Sequence, residues 1–154
     1  MRLSEALIQR ADTQKRIQQL HSRLKRSARI QEGEEVPEDP QELLTELAQL
    51  ISVFNTLVAQ INQTNSRTQF DSNRTLTEAL AERDAILLHR QILEGVIQAA
   101  TGADGSRMTR FSQIKSFSAV NVREVQAMID TLSRRYRELD TRIQEINWAT
   151  DLIE

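Results

Sequence analysis

Apolar residues recur at helical spacing along four stretches of the chain. The clearest runs through Leu43, Leu47, Leu50, Phe54, Leu57 and Ile61, stepping by four and three without a break. Leu44, Ile51 and Val58 widen that stripe to a third position per heptad, the pattern of a core-facing bundle helix, and predict a helix over 40–64. Val122, Val125, Ile129, Leu132, Tyr136, Leu139, Ile143 and Ile146 keep a 3-4 seam for more than three heptads and predict a helix over 122–150. Leu76, Ala79, Leu80, Ile86, Leu87, Leu93 and Ile97 predict a third over 76–100. The first stretch, 3–30, is less regular. Leu3, Leu7, Ile17, Leu24 and Ala28 share its seam with Arg10, Gln14 and His21.

Helix boundaries are marked by local chemistry. Asp39 followed by Pro40 and Glu42 is a helix start, because the aspartate accepts from free backbone N–H groups and proline tolerates the first helical position. Thr75 with Glu78, and Asn121 with Glu124, have the spacing of capping boxes. Ser4 is the expected cap of the first helix and Gly33 its stop. The stretch TGADGSRMT, 101–109, reads as a loop, and RFSQIKSFSAV fits neither helical nor strand period, so a short strand or an ordered, packed loop is expected near 110–120. Similar lengths and short polar connections lead to an all-α, antiparallel up-and-down four-helix bundle forming one domain over 1–154.

Composition narrows the function. Twenty basic against 22 acidic residues give a net charge of −2, so no global field draws the chain to nucleic acid or anionic lipid. The absence of cysteine excludes disulfides, thiolate nucleophiles and cysteine zinc sites. The polar opening MRLSEALIQR is unlike a signal peptide, and no apolar stretch of membrane-spanning length is evident. A cytoplasmic protein without stable membrane insertion is the expectation.

Candidate chemistry is sparse. A carboxylate-bridged metal centre would need Glu-x-x-His pairs, but Gln18 stands three before His21 and Ile86 three before His89. No phosphate loop, nucleophile elbow or metalloprotease motif is present, so neither catalysis, cofactor nor metal is expected. The oddity lies in the third helix, where Arg83 and Arg90 fall inside the apolar arc with Glu94 at its edge. With Arg10 and His21 they form a candidate polar core layer, either an ion-pair network that fixes helix register or an anion site. For the network, Asp12, Asp140 and Glu145 are the candidate partners. Charge is also segregated: Lys15, Arg16, Arg23, Lys25, Arg26 and Arg29 precede an acidic block over 32–42. The basic stretch 15–29 could meet nucleic acid. Its position at a helix C-terminus, beside acids that can neutralise it and without aromatics to stack bases, favours a solvated or self-complementary face.

Three stretches resemble the septicolysin-like family of small bacterial proteins: QEGEEVPEDP in the first connection, TLTEALAERDAI at 75–86 and LDTRIQEINWATDLIE at 139–154. Arg142, Gln144, Glu145, Asn147 and Trp148 are the signature residues of the last. The resemblance spans essentially the whole chain and implies, by the family's name, a haemolysin-like membrane-active protein. The residues themselves point first to a self-associating structural or interaction module, with nucleic-acid binding the third reading. Trp148 is expected to be buried as a packing or intersubunit anchor.

Overall fold

The computed structural model describes residues 1–102 and 115–154. It contains α1 (Leu3–Ser27), α2 (Pro40–Arg67), α3 (Leu76–Thr101) and α4 (Val122–Ala149), and no strand among the described residues. The all-α, four-helix class expected from periodicity is observed. The strand or packed loop expected near 110–120 falls largely on 103–114, outside the described residues; 115–120 carry no strand. The chain divides into two compact units, one of residues 1–69 with 145–154, the other of residues 70–144.

In the first unit α1 and α2 form an antiparallel pair. Leu20, Leu43 and Leu50 make its buried cluster, with Ile17, Leu24 and Leu47 against them. The α2 start is capped as its sequence dictates: Asp39 accepts from the Gln41 N–H at 2.8 Å with Pro40 at the first helical position. Leu57, Ile61 and Thr64 continue the buried face of α2. Leu44 and Ile51, expected to widen that face into the core, are instead exposed, because one neighbouring helix covers only the narrower stripe.

The α1 surface also departs from expectation. It buries Leu3, Ala6, Thr13, Leu20 and Ser27, whereas Gln14 and His21 are exposed. Ala6, Thr13, Leu20 and Ser27 repeat every seven residues. Three of them are small, so the partner helix can approach closely on that side and the buried face turns away from the one the larger aliphatics suggest. The helix ends at Ser27, before the glycine expected to stop it, and Ser4 is a buried first-turn residue rather than the cap. The Glu5 carboxylate meets the orphan N–H of Arg2 at 2.7 Å.

The two chain ends meet in this unit. The Leu3 N–H donates to Thr150 O at 2.9 Å and the Leu152 N–H to Met1 O at 2.8 Å. Arg2 Nη1 donates to Ala149 O and pairs with Asp151, each at 2.9 Å. The Ile153 N–H donates to Thr64 Oγ1 at 3.0 Å, which ties the end of α2 to the same clasp.

Membrane-span criteria single out α2 by length and composition, with a mean hydropathy of 1.3 over 18 residues, contrary to the expectation that no such stretch exists. Its polar positions are mostly uncharged: between 43 and 63 only Glu46 bears a charge. The helix is nonetheless amphipathic, with Leu43, Leu50, Leu57 and Ile61 buried against Asn55, Asn62 and Gln63 exposed.

In the second unit Thr75 caps α3 through the expected box. The Glu78 N–H donates to Thr75 Oγ1 at 3.3 Å, and the Thr75 N–H to Glu78 Oε2 at 2.7 Å. Asn121 Oδ1 accepts from the Glu124 N–H at 3.2 Å at the start of α4. Leu76, Ala79 and Ile86 are the buried face of α3; Ile129, Leu139 and Ile143 are that of α4 within this unit. The α3 stop is Gly102, left-handed at φ 70°, a conformation that favours glycine.

Candidate functional site

The densest side-chain chemistry lies on α3, α4 and the turn before α3. In that turn Asp71 Oδ1 accepts from the Asn73 and Arg74 N–H groups, both at 2.9 Å, a local closure that aspartate favours. The Asp71 carboxylate also takes two hydrogen bonds from the Arg74 guanidinium, at 2.6 and 2.9 Å. Arg74 stacks over Phe70 at 5.1 Å and reaches Glu82, which Arg135 of α4 also grips. The Arg74 guanidinium, foremost, and backbone N–H groups after it hold the Asp71 carboxyl below its ordinary value. A shallow groove lies over this network, lined by Phe70, Arg74, Glu82, Arg135, Glu138, Leu139 and Arg142. Its arginines Arg74 and Arg135 are both already engaged by Glu82, so an anion entering there would compete with a carboxylate held in place.

Arg83 and Arg90 extend the polar strip along α3. Both are roughly one-quarter exposed. Arg83 Nη1 donates to Asp140 Oδ1 of α4 at 3.1 Å, and its other nitrogens meet Asp84 at 3.2 and 3.3 Å. Burial works against its charge, but the hydrogen bonds to Asp140 and Asp84 outweigh it and raise its pKa. Arg90 stacks over Tyr136 of α4 at 5.7 Å. Its Nε is buried without a hydrogen bond and stands 3.5 Å from Glu94 Oε1. The pairings Arg83–Asp140 and Arg90–Tyr136 run in opposite directions along the two helices, so α3 and α4 are antiparallel in this unit.

The five residues expected to form one polar core layer are divided between the two units. Arg83, Arg90 and Glu94 belong to the second unit, Arg10 and His21 to the first. Arg10 is half-buried and His21 exposed, because the α1 seam passes through Leu20. Sequence reasoning did not single out Glu82, whose bridging of two arginines depends on the α3–α4 pairing and has no local signal.

The segregated charges partly neutralise each other across the α1–α2 connection. Arg23 Nε donates to both Glu38 oxygens, at 3.1 and 3.2 Å, and Nη1 stands 3.6 Å from Glu46. Arg23 holds the Glu38 carboxyl below its ordinary value through those hydrogen bonds. Among the tail residues Asn147 is buried, whereas Arg142, Gln144 and Glu145 are exposed. Trp148, expected to be buried, is 60% exposed. Ile143, Ile146 and Asn147 carry the buried face of the last turns, and one further residue rotates the indole outward. Among the described residues no group of three or more histidine or acidic side chains is placed to hold a metal ion.

Comparison with known proteins sets this geometry in context. The model of a family of unknown function, DUF6847, matches residues 10–152. A crystal structure of a functionally unknown conserved protein from Corynebacterium diphtheriae is similar with a TM-score of 0.89 and 40% sequence identity, over 99% of each chain. No curated protein matches. These findings overturn the septicolysin-like resemblance: the family shown by nearly the whole chain is a different one, so that resemblance no longer supports a membrane-damaging activity. The tail residues that carried the resemblance lie inside the matched span.

Proposed function

We propose that this chain, which belongs to the family of unknown function DUF6847, is a non-catalytic interaction module that associates with further copies of itself. The observation that carries this reading is the apolar surface left on its helices. Leu44 and Ile51 on one face of α2, Leu88 and Ile92 on one face of α3, and Met128 of α4 are exposed. Large side chains grouped on helix faces, in contrast to single scattered ones, mark surfaces that meet other molecules. The charged strip on α3 and α4 supports the same reading, because its guanidiniums are spent on internal carboxylates and a tyrosine ring.

Arg23, within the basic stretch 15–29, is paired with Glu38 and Glu46, which favours self-association over nucleic-acid binding there. Light scattering across a concentration range tests the reading. A mass of at least twice 17.7 kDa at micromolar concentration is expected. A single-chain mass at every concentration would overturn it.

A further inference from the structure

We propose that a second copy of the chain docks antiparallel on the outer face of α3, about a two-fold axis at the level of Arg90. This rests on the self-association reading and assigns it a surface. Ala81, Ala85, Leu88, Ile92, Gly95 and Ala99 step by four and three along α3, the spacing of a coiled-coil seam, and every one is exposed. Leu88 and Ile92 at its centre are 59% and 56% exposed. The seam lies on the side of the helix away from Leu76, Ala79 and Ile86, which are buried within the unit. It therefore forms a second apolar face on one helix, about 27 Å long at 1.5 Å per residue.

The order of side-chain sizes identifies the occupant. The seam reads small, small, large, large, small, small, and is symmetric about residue 90. Reversed against itself, it sets Leu88 against Ile92 of the second copy, Ala85 against Gly95 and Ala81 against Ala99. The large residues then fill the centre while the small ones let the backbones approach at both ends. Such a surface is self-complementary, as an isologous two-fold contact requires.

Gly95 adds a second argument. A glycine in a helix interior costs about 1 kcal/mol relative to alanine. Outside its own helix turn, no atom of the described residues lies within 4 Å of where its Cβ would stand, so no described neighbour requires it. The close approach of Ala85 from a second copy would.

The flanking charges are compatible with this pairing. On one flank Asp84 faces Gln98 of the second copy and Gln91 faces itself, both able to hydrogen-bond. On the other Glu82 faces Val96 and His89 faces itself. No two carboxylates and no two guanidiniums oppose each other, and the helix dipoles run in opposite directions. Met128 and Ala127 of α4, exposed beside His89, continue the apolar surface on that flank.

A charge swap tests the pairing, with equilibrium sedimentation as the readout and circular dichroism confirming that these surface variants remain helical. Leu88→Glu should weaken association roughly tenfold or more by placing carboxylates in an apolar seam. Adding Ile92→Lys should restore it, because positions 88 and 92 face each other only in the antiparallel arrangement. Ala85→Arg, at the small end, should also dissociate the dimer. A dimer unaffected by Leu88→Glu and Ala85→Arg would overturn the assigned surface while leaving self-association standing. Loss without restoration by the second change would overturn the antiparallel register. A wild-type chain that stays monomeric would overturn both this inference and the reading it rests on.

Discussion

Two serines illustrate how burial outranks residue type. Ser4 and Ser27 are buried on α1 with hydroxyls that make no hydrogen bond, a desolvation cost without return. Ser4→Ala and Ser27→Ala should leave stability unchanged or raise it by about 1 kcal/mol in chemical denaturation. A loss of that size at Ser4 would instead support the capping role its sequence position suggests. The same logic separates two residues of the tail. Ile143 is fully buried, and Ile143→Ala should cost about 2–5 kcal/mol. Trp148→Ala should cost under about 1 kcal/mol in the isolated chain, and the indole should emit like one in contact with water. Trp148 was unreadable from type alone, because an aromatic among signature-like residues carries the same pattern whether it is packed or presented.

At the scale of elements, the starts of α2, α3 and α4 were legible, whereas the start of α1, its buried face and the width of the α2 face were not. Asp39, Thr75 and Asn121 declare their caps because capping is settled within four residues, with no need of a neighbour. The buried face of α1 depends on Ala6, Thr13 and Ser27, which give little hydrophobic signal and are chosen by the closeness of α2. Of the candidate site, Arg83 with Asp140 was foreseeable as a guanidinium on an apolar arc that needs an acid, whereas the convergence of Arg74 and Arg135 on Glu82 is set by tertiary pairing. The turn before α3 also carries a pH dependence. Asp71 and Glu78 have folded-state pKa values below their ordinary ones, the first held by Arg74, the second by hydrogen bonds from Thr75. The stability they contribute is complete above the ordinary carboxylate range and is lost as pH falls from there through the lowered folded-state values, because protonation then favours the unfolded chain. Thermal melts from pH 7 to pH 3 should show Asp71→Asn with a shallower acid decline than the wild type.

For the whole molecule, the division into units has a consequence in time as well as space. The unit of residues 70–144 is continuous in sequence, whereas the other cannot be finished until residues 145–154 join residues 1–69. Bringing the flanks of that intervening segment together in an unstructured chain costs roughly 4 kcal/mol in loop entropy. If the segment is already compact, most of that cost has been met by its own contacts. On a ribosome the order is imposed outright, since residues 1–3 are made before the second unit and their partners at 150–152 after it. Refolding should keep the same sequence of events with slower long-range steps. Pulse-labelling by hydrogen exchange should find the amides of α3 protected before those of Leu3 and Leu152, and simultaneous protection would contradict it. The α1–α2 pair is thus made before the segment that closes it, and spends that interval with an unsealed base.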